Sequence, residues 1–164
     1  MNSLGLYVYK LISSMLPETR CFGLKRSLLR MCGAKIESGV RICSSASFMG
    51  AGSLYIGKDT WIGHDVLILS SSNVSIGAYV DVAPRVYIGT GTHEIDRDGT
   101  HVAGRGINKD VVIEDGAWLC ANSTILPGVS VGKKSIVAAG AVVNKSFGDY
   151  EIIAGIPAKH LRNV

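Results

Sequence analysis

Aliphatic side chains recur every six residues along most of this chain. The clearest run is Ile113, Leu119, Ile125, Val131, Val137 and Val143. Two residues before each of the last five stands a small or β-branched side chain: Ala117, Ser123, Val129, Ser135 and Ala141. Residues i and i−2 of a strand share a face, so large and small side chains alternate in one inward layer. Earlier runs keep the period in other phases: Ile36, Ile42, Phe48, Leu54, then Ile56, Ile62, Ile68, Val74, then Ile76, Val82, Ile88. The phase slips by two residues at 54–56 and again at 74–76, which predicts a small insertion at a corner. A helix would repeat its apolar stripe every three to four residues, and a hairpin strand every two. Three six-residue steps instead close a triangular coil, whose strands stack about 4.8 Å apart on the next coil. The pattern predicts a parallel β-helix of hexapeptide repeats.

The ladder breaks once. From Thr90 to Asp110 the chain reads TGTHEIDRDGTHVAGRGINKD, polar, glycine-rich and without the period. It reads as a long inserted loop, the kind of segment that carries function. Before the ladder, Leu4, Tyr7, Val8, Leu11, Ile12 and Met15 fall at helical spacing and Pro17 ends the segment. A second helix is expected over 21–31, with Leu24, Leu28 and Leu29 on one face and Lys25, Arg26 and Arg30 elsewhere. These helices either cap the open end of the coil or rest as a basic amphipathic surface on an anionic membrane. Pro157 is expected to open a short C-terminal helix over Ala158–Asn163. The organisation is then a helical extension (1–33), a β-helix (34–155) with its insertion at 90–110, and a terminal helix (156–164).

Composition narrows the class. The 20 glycines against 4 prolines, with no G-x-y period, suit many tight corners and exclude collagen. The net charge is +4 with no basic run and few aromatics, so no nucleic-acid surface is expected. Cys21, Cys32, Cys43 and Cys120 form no CxxC pair and no zinc spacing. They read as free thiols in a reducing compartment, and no metal site is expected. The N-terminal apolar stretch lacks a basic leader and a cleavage site, and Lys10 interrupts it. The expected location is the cytoplasm, at most at the inner face of the membrane.

The segments IGTGTHEID, VVIEDGAWLCANSTILPGVSVGKKSIVAAGAVVNKSF and IIAGIPAKHLR resemble the hexapeptide-repeat acetyltransferases. The branch most similar acetylates capsule, colanic-acid and lipopolysaccharide sugars, with maltose and galactoside acetyltransferases as cousins. FGLKRSLLRMCGAKI is also similar to the polysaccharide branch. The resemblance implies left-handed coils, an exception to the usual right-handed crossover. It also implies acetyl-CoA as acyl donor, a carbohydrate acceptor and a homotrimer with active sites between subunits.

Acetyl transfer to a hydroxyl needs a group that takes a proton and returns it, and imidazole does both near neutrality. His93 stands where the ladder breaks, and the resemblance places it as the catalytic histidine. Glu94 and Asp96 are the nearby acids that could orient it. Glu94 points away if the segment is extended, which leaves Asp96 or a backbone carbonyl. Trp118 precedes inward Leu119 and so points outward. The resemblance sets it beside the acceptor and acetyl site, while a role as trimer-interface anchor fits its position as well. By the same resemblance the Ala121 amide lies near the thioester. Ala139, Asn144 and Lys145 match positions that hold the pantetheine arm, and Lys159 and Arg162 match basic positions near the nucleotide phosphates. Sugar-binding residues do not transfer: the regions Gly63–Asp65 and Ser70–Asn73 depart from the galactoside enzymes. Asp81 and Arg85 are outward candidates for acceptor contacts.

Three other activities fit less well. N-acetylation of a nucleotide-linked amino sugar would use the same donor. Serine acetylation lacks its long N-terminal helical domain here. A zinc hydratase on this fold needs three histidines, and the closely spaced pair is missing. A non-catalytic β-helix scaffold predicts no acetyl-CoA binding.

Overall fold

The computed structural model describes residues 1–164. The six-residue ladder forms stacked triangular coils. The first coil is β1 (Lys35–Ile36), β2 (Arg41–Ile42) and β3 (Ser47–Met49). The second is β4 (Ser53–Ile56), β5 (Trp61–Ile62) and β6 (Leu67–Leu69), and the third is β7 (Asn73–Ile76), β8 (Asp81–Val82) and β9 (Tyr87–Gly89). After a hairpin, β10 (Gly91–Ile95) and β11 (Ala103–Asn108), the fourth coil is β12 (Val111–Ile113), β13 (Trp118–Leu119) and β14 (Thr124–Ile125). The fifth is β15 (Ser130–Val131), β16 (Ile136–Val137) and β17 (Val142–Val143). Every coil-to-coil pairing is parallel. We call the three faces A (β1, β4, β7, β12, β15), B (β2, β5, β8, β13, β16) and C (β3, β6, β9, β14, β17).

The register explains the phase slips. Lys35 pairs with Tyr55, Tyr55 with Ser75, and Val112 with Ser130. The last step is three hexapeptides, and the first two are each two residues longer. The surplus lies at the corner from face C to face A, at 50–52 and 70–72. It makes β4 and β7 four residues long, with two inward side chains each: Leu54 and Ile56, Val74 and Ile76. The predicted ladder residues are all buried, and so are the small partners Ala117, Ser123, Val129, Ser135 and Ala141. Corners admit little side-chain bulk. A Cβ on Gly57 would stand 2.6 Å from the amide nitrogen of Ala78 on the next coil.

The two expected helices are present as α1 (Ser3–Ser14) and α2 (Phe22–Met31). Asn2 caps α1, its Oδ1 accepting from the N–H groups of Leu4 (3.0 Å) and Gly5 (3.3 Å). The pair covers the first coil, with Leu6, Tyr9 and Leu29 joining the continuous core. The Tyr9 ring meets Phe48 edge-on at 5.8 Å. The apolar stripe read from the sequence faces outward instead: Leu4, Tyr7, Val8, Leu11 and Met15 are exposed. α1 is apolar on two faces, and spacing alone does not say which one the coil takes.

Two expectations are corrected. No helix follows Pro157. Residues 151–155 form β18 (Glu151–Gly155), which continues face B, and β19 (Ala158–Asn163) returns antiparallel to it. β18 is otherwise an open edge, and its unpaired backbone groups favour a strand over an isolated turn of helix. Gly155, at φ +102°, supplies the reversal. The stretch 90–110 is an ordered hairpin rather than an irregular loop, pairing Gly91 with Asn108, Thr92 with Ile107 and His93 with Gly106. Its side chains face solvent on both sides, so it carries no apolar alternation.

Candidate active site

The hairpin leaves the coil at the corner between faces C and A. Its root is the fully buried Thr90, whose hydroxyl donates to the Leu69 carbonyl (3.2 Å) and accepts from Ser71 N–H (2.8 Å) and Ser72 N–H (3.1 Å). The Lys109 N–H closes the base on the Thr90 carbonyl at 2.8 Å. Three residues up the arm, His93 is exposed and opposes Gly106, which puts no side chain against the ring.

His93 Nδ1 lies 2.9 Å from the Gly104 carbonyl oxygen. A carbonyl only accepts, so the contact sets the proton on Nδ1 and leaves Nε2 with a free lone pair. Asp96 does not orient the ring. Its Oδ1 accepts from the N–H groups of Asp98 (3.1 Å) and Gly99 (2.8 Å), which ties the hairpin's end. The acceptor at Nδ1 is thus a backbone atom across the arm, the second of the two alternatives left open above, and Asp96 bonds elsewhere. Sequence could name the class but not the residue, because any residue type offers the same carbonyl.

Trp118 points outward as expected and is 48% exposed. It pairs with Asp81 on one side and Ile136 on the other, so Asp81 and Trp118 are neighbours on face B. Arg85 is exposed at the next corner, between faces B and C, with φ +60°. Ala121 and Ala139 stack on that corner, where Gly140 N–H donates to the Ala121 carbonyl at 3.0 Å. The N–H groups of Ala121 and Ala139 bond to no backbone acceptor. Free amide donors at a corner fit an acyl carbonyl and an amide-rich arm. Neighbouring Cys120 is half-buried, and burial pushes its thiol up, away from the thiolate form.

Asn144 and Lys145 are exposed at the other corner, with the hairpin root. Lys159 and Arg162 lie exposed on β19 at the end of face B, Arg162 opposite Ile152. One chain therefore gathers the expected residues at two edges. His93, Asn144 and Lys145 share the C–A corner. Asp81, Trp118, Arg85, Ala121 and Ala139 lie on face B and the B–C corner, across the whole of face C.

A family described as "Bacterial transferase hexapeptide (six repeats)" matches residues 110–145. A putative colanic acid biosynthesis acetyltransferase of Escherichia coli (strain K12) is 32% identical over 136 residues, 82% of this chain and 72% of that protein. The chain belongs to the hexapeptide-repeat acetyltransferase family. A second relative, a putative acetyltransferase of Saccharomyces cerevisiae (strain ATCC 204508 / S288c), is 36% identical over 112 residues. That match takes in 68% of this chain, which spans 57% of the relative's length. The hexapeptide-repeat acetyltransferase of Vibrio cholerae O1 biovar eltor, solved in complex with acetyl coenzyme A, superposes with a TM-score of 0.77. The two are 25% identical, and the match covers 98% of this chain and 86% of that one. The coil is the left-handed parallel β-helix of that family.

Proposed function

We propose that this chain transfers the acetyl group of acetyl-CoA to a sugar hydroxyl in polysaccharide assembly, with His93 as general base. The observation that carries the reading is the His93–Gly104 clasp, which holds one tautomer and aims a basic Nε2 outward. Acetyl-CoA, when bound, supplies an activated thioester carbonyl. Nε2 takes the acceptor's hydroxyl proton as its oxygen attacks, then returns it to the departing sulfur. The free Ala121 N–H donates to the carbonyl oxygen as negative charge builds there. Trp118 walls the acyl site and Asp81 and Arg85 meet the acceptor. Ala139, Asn144 and Lys145 hold the pantetheine arm, and Lys159 and Arg162 meet the phosphates. Transfer is direct, with no covalent enzyme intermediate, in keeping with the burial that disfavours a Cys120 thiolate.

His93→Ala should lower turnover by about 10²–10⁴ with the melting temperature unchanged. Full activity in that variant rules His93 out as the base. Product mass spectrometry over matched hydroxyl and amino sugars tests the acceptor class. Acetylation confined to the amine would overturn O-transfer.

No helix of the chain is long and apolar enough to cross a membrane. We infer peripheral contact through the exposed α1 stripe, on a helical extension that also carries the basic residues Lys10, Arg26 and Arg30. Flotation with anionic vesicles should carry the protein upward, and Leu4→Ser with Leu11→Ser should abolish this. Equal flotation of the double variant would exclude the stripe as the contact.

A further inference from the structure

Three potential metal ligands that are far apart in sequence meet beside the first two coils. Glu18 comes from the link between α1 and α2, Cys43 follows β2, and His64 follows β5 one coil further on. Their ligand atoms all lie within 4.8 Å of one another. Cys43 Sγ stands 3.5 Å from His64 Nδ1. In a tetrahedral zinc site, Zn–S of about 2.3 Å and Zn–N of about 2.0–2.1 Å place sulfur and nitrogen about 3.6 Å apart. The sulfur–nitrogen distance matches that length, and with Nε2 also 4.0 Å from the sulfur the imidazole has to turn for Nδ1 to face a shared ion. The carboxylate oxygen need close by no more than about 1.5 Å to complete the triangle.

The cluster is held by its surroundings. Glu18 Oε2 accepts from Ser45 N–H (3.0 Å) and Ser45 Oγ (3.1 Å), and Oε1 is left unengaged. The Glu18 carbonyl accepts from Ser44 N–H at 3.3 Å, and the Pro17 carbonyl from Ser44 Oγ at 3.1 Å. Behind them is Lys25, fully buried, whose Nζ donates to the carbonyls of Pro17 (3.2 Å), Glu18 (2.8 Å) and Ile42 (3.0 Å). One buried ammonium thus joins the backbone of the Glu18 link to the strand that ends at Cys43. Ligand-bearing segments pinned from outside the ligand set are what a preorganised metal site needs. The cluster takes no part in the chemistry proposed above.

We propose that Glu18, Cys43 and His64 bind one zinc ion as a clasp between the helical cap and the first two coils. Sulfur, imidazole and carboxylate form a borderline donor set that suits zinc over magnesium or calcium. His64 binds through Nδ1, Glu18 through Oε1, and Cys43 as thiolate after its proton passes to water. Water fills the fourth position. The cysteine spacing could not reveal this, because each ligand comes from a different segment and only the coil register brings Cys43 beside His64.

The test uses the full chain, stripped with a chelator and titrated with zinc chloride alone. One zinc should bind per chain and raise the melting temperature. Cobalt(II) should give a thiolate-to-metal charge-transfer band that Cys43→Ser abolishes. His64→Gln and Glu18→Gln lie outside the packed coil interior and should fold normally, with zinc affinity at least about tenfold weaker. Substoichiometric binding to the native chain would overturn the proposal. So would a cobalt spectrum without the thiolate band, or zinc affinity that neither His64→Gln nor Glu18→Gln alters.

Discussion

At the scale of single residues, two side chains show how position sets chemistry. His93 gains its tautomer from a carbonyl that any residue could supply, so the histidine could be singled out from sequence but its partner residue could not. Tyr9 shows burial acting on a titratable group. Its phenol is pushed from 10.0 up to about 12 by burial against the first coil, which outweighs the opposing Ser13 hydroxyl. The unfolded chain therefore loses this proton first as pH rises. Stability is thus unaffected below pH 10, falls between 10 and about 12, and levels off above. A shift of this size corresponds to about 2–3 kcal/mol in total. Denaturant melts of the native chain and Tyr9→Phe across that window should diverge by this amount, the phenylalanine variant being the flatter. Parallel curves would show that Tyr9 titrates as an exposed phenol.

At the scale of elements, the parts readable from sequence were those with a forced period. Each inward residue from Ile36 to Val143 has one position per coil edge, so a six-residue count finds it without knowledge of its neighbours. Even the two-residue slips at 54–56 and 74–76 correspond to real surplus at one corner. Elements defined by a partner were misread. Ala158–Asn163 has helix-start chemistry, but the free edge of β18 takes it as a strand. The arm of β10 and β11 pairs only with itself, and none of its residues enters the core. Replacing residues 91–108 with a short linker should therefore preserve the circular dichroism spectrum and cooperative melting while abolishing acetyl transfer. Unfolding of that variant would mean that the arm props the coil, and retained turnover would place the base elsewhere.

At the scale of the whole molecule, the site proposed above implies that one chain is not a complete enzyme. His93, Asn144 and Lys145 occupy one edge of a rigid prism. Ala121 and Ala139, with Asp81 and Trp118 beside them, occupy another, and face C lies between. A stack of hydrogen-bonded coils cannot fold one edge onto the other. A second copy can bring its C–A corner to the first copy's B–C corner, and repetition about a threefold axis closes the ring. We expect a homotrimer in light scattering, with each site shared by two chains. Complementation tests the sharing itself. Ala121→Pro removes the free N–H without breaking a backbone hydrogen bond, and Ala139→Trp blocks the same corner from an exposed position if the proline variant folds poorly. Neither variant should be active alone, and neither should His93→Ala. Assembled together, His93→Ala chains contribute intact B–C corners and the partner variant contributes intact histidines. Mixed trimers should then recover turnover in the sites that combine the two. If every mixture stays inactive while the trimers form, His93 and Ala121 serve the same site from the same chain, and the shared-site reading fails.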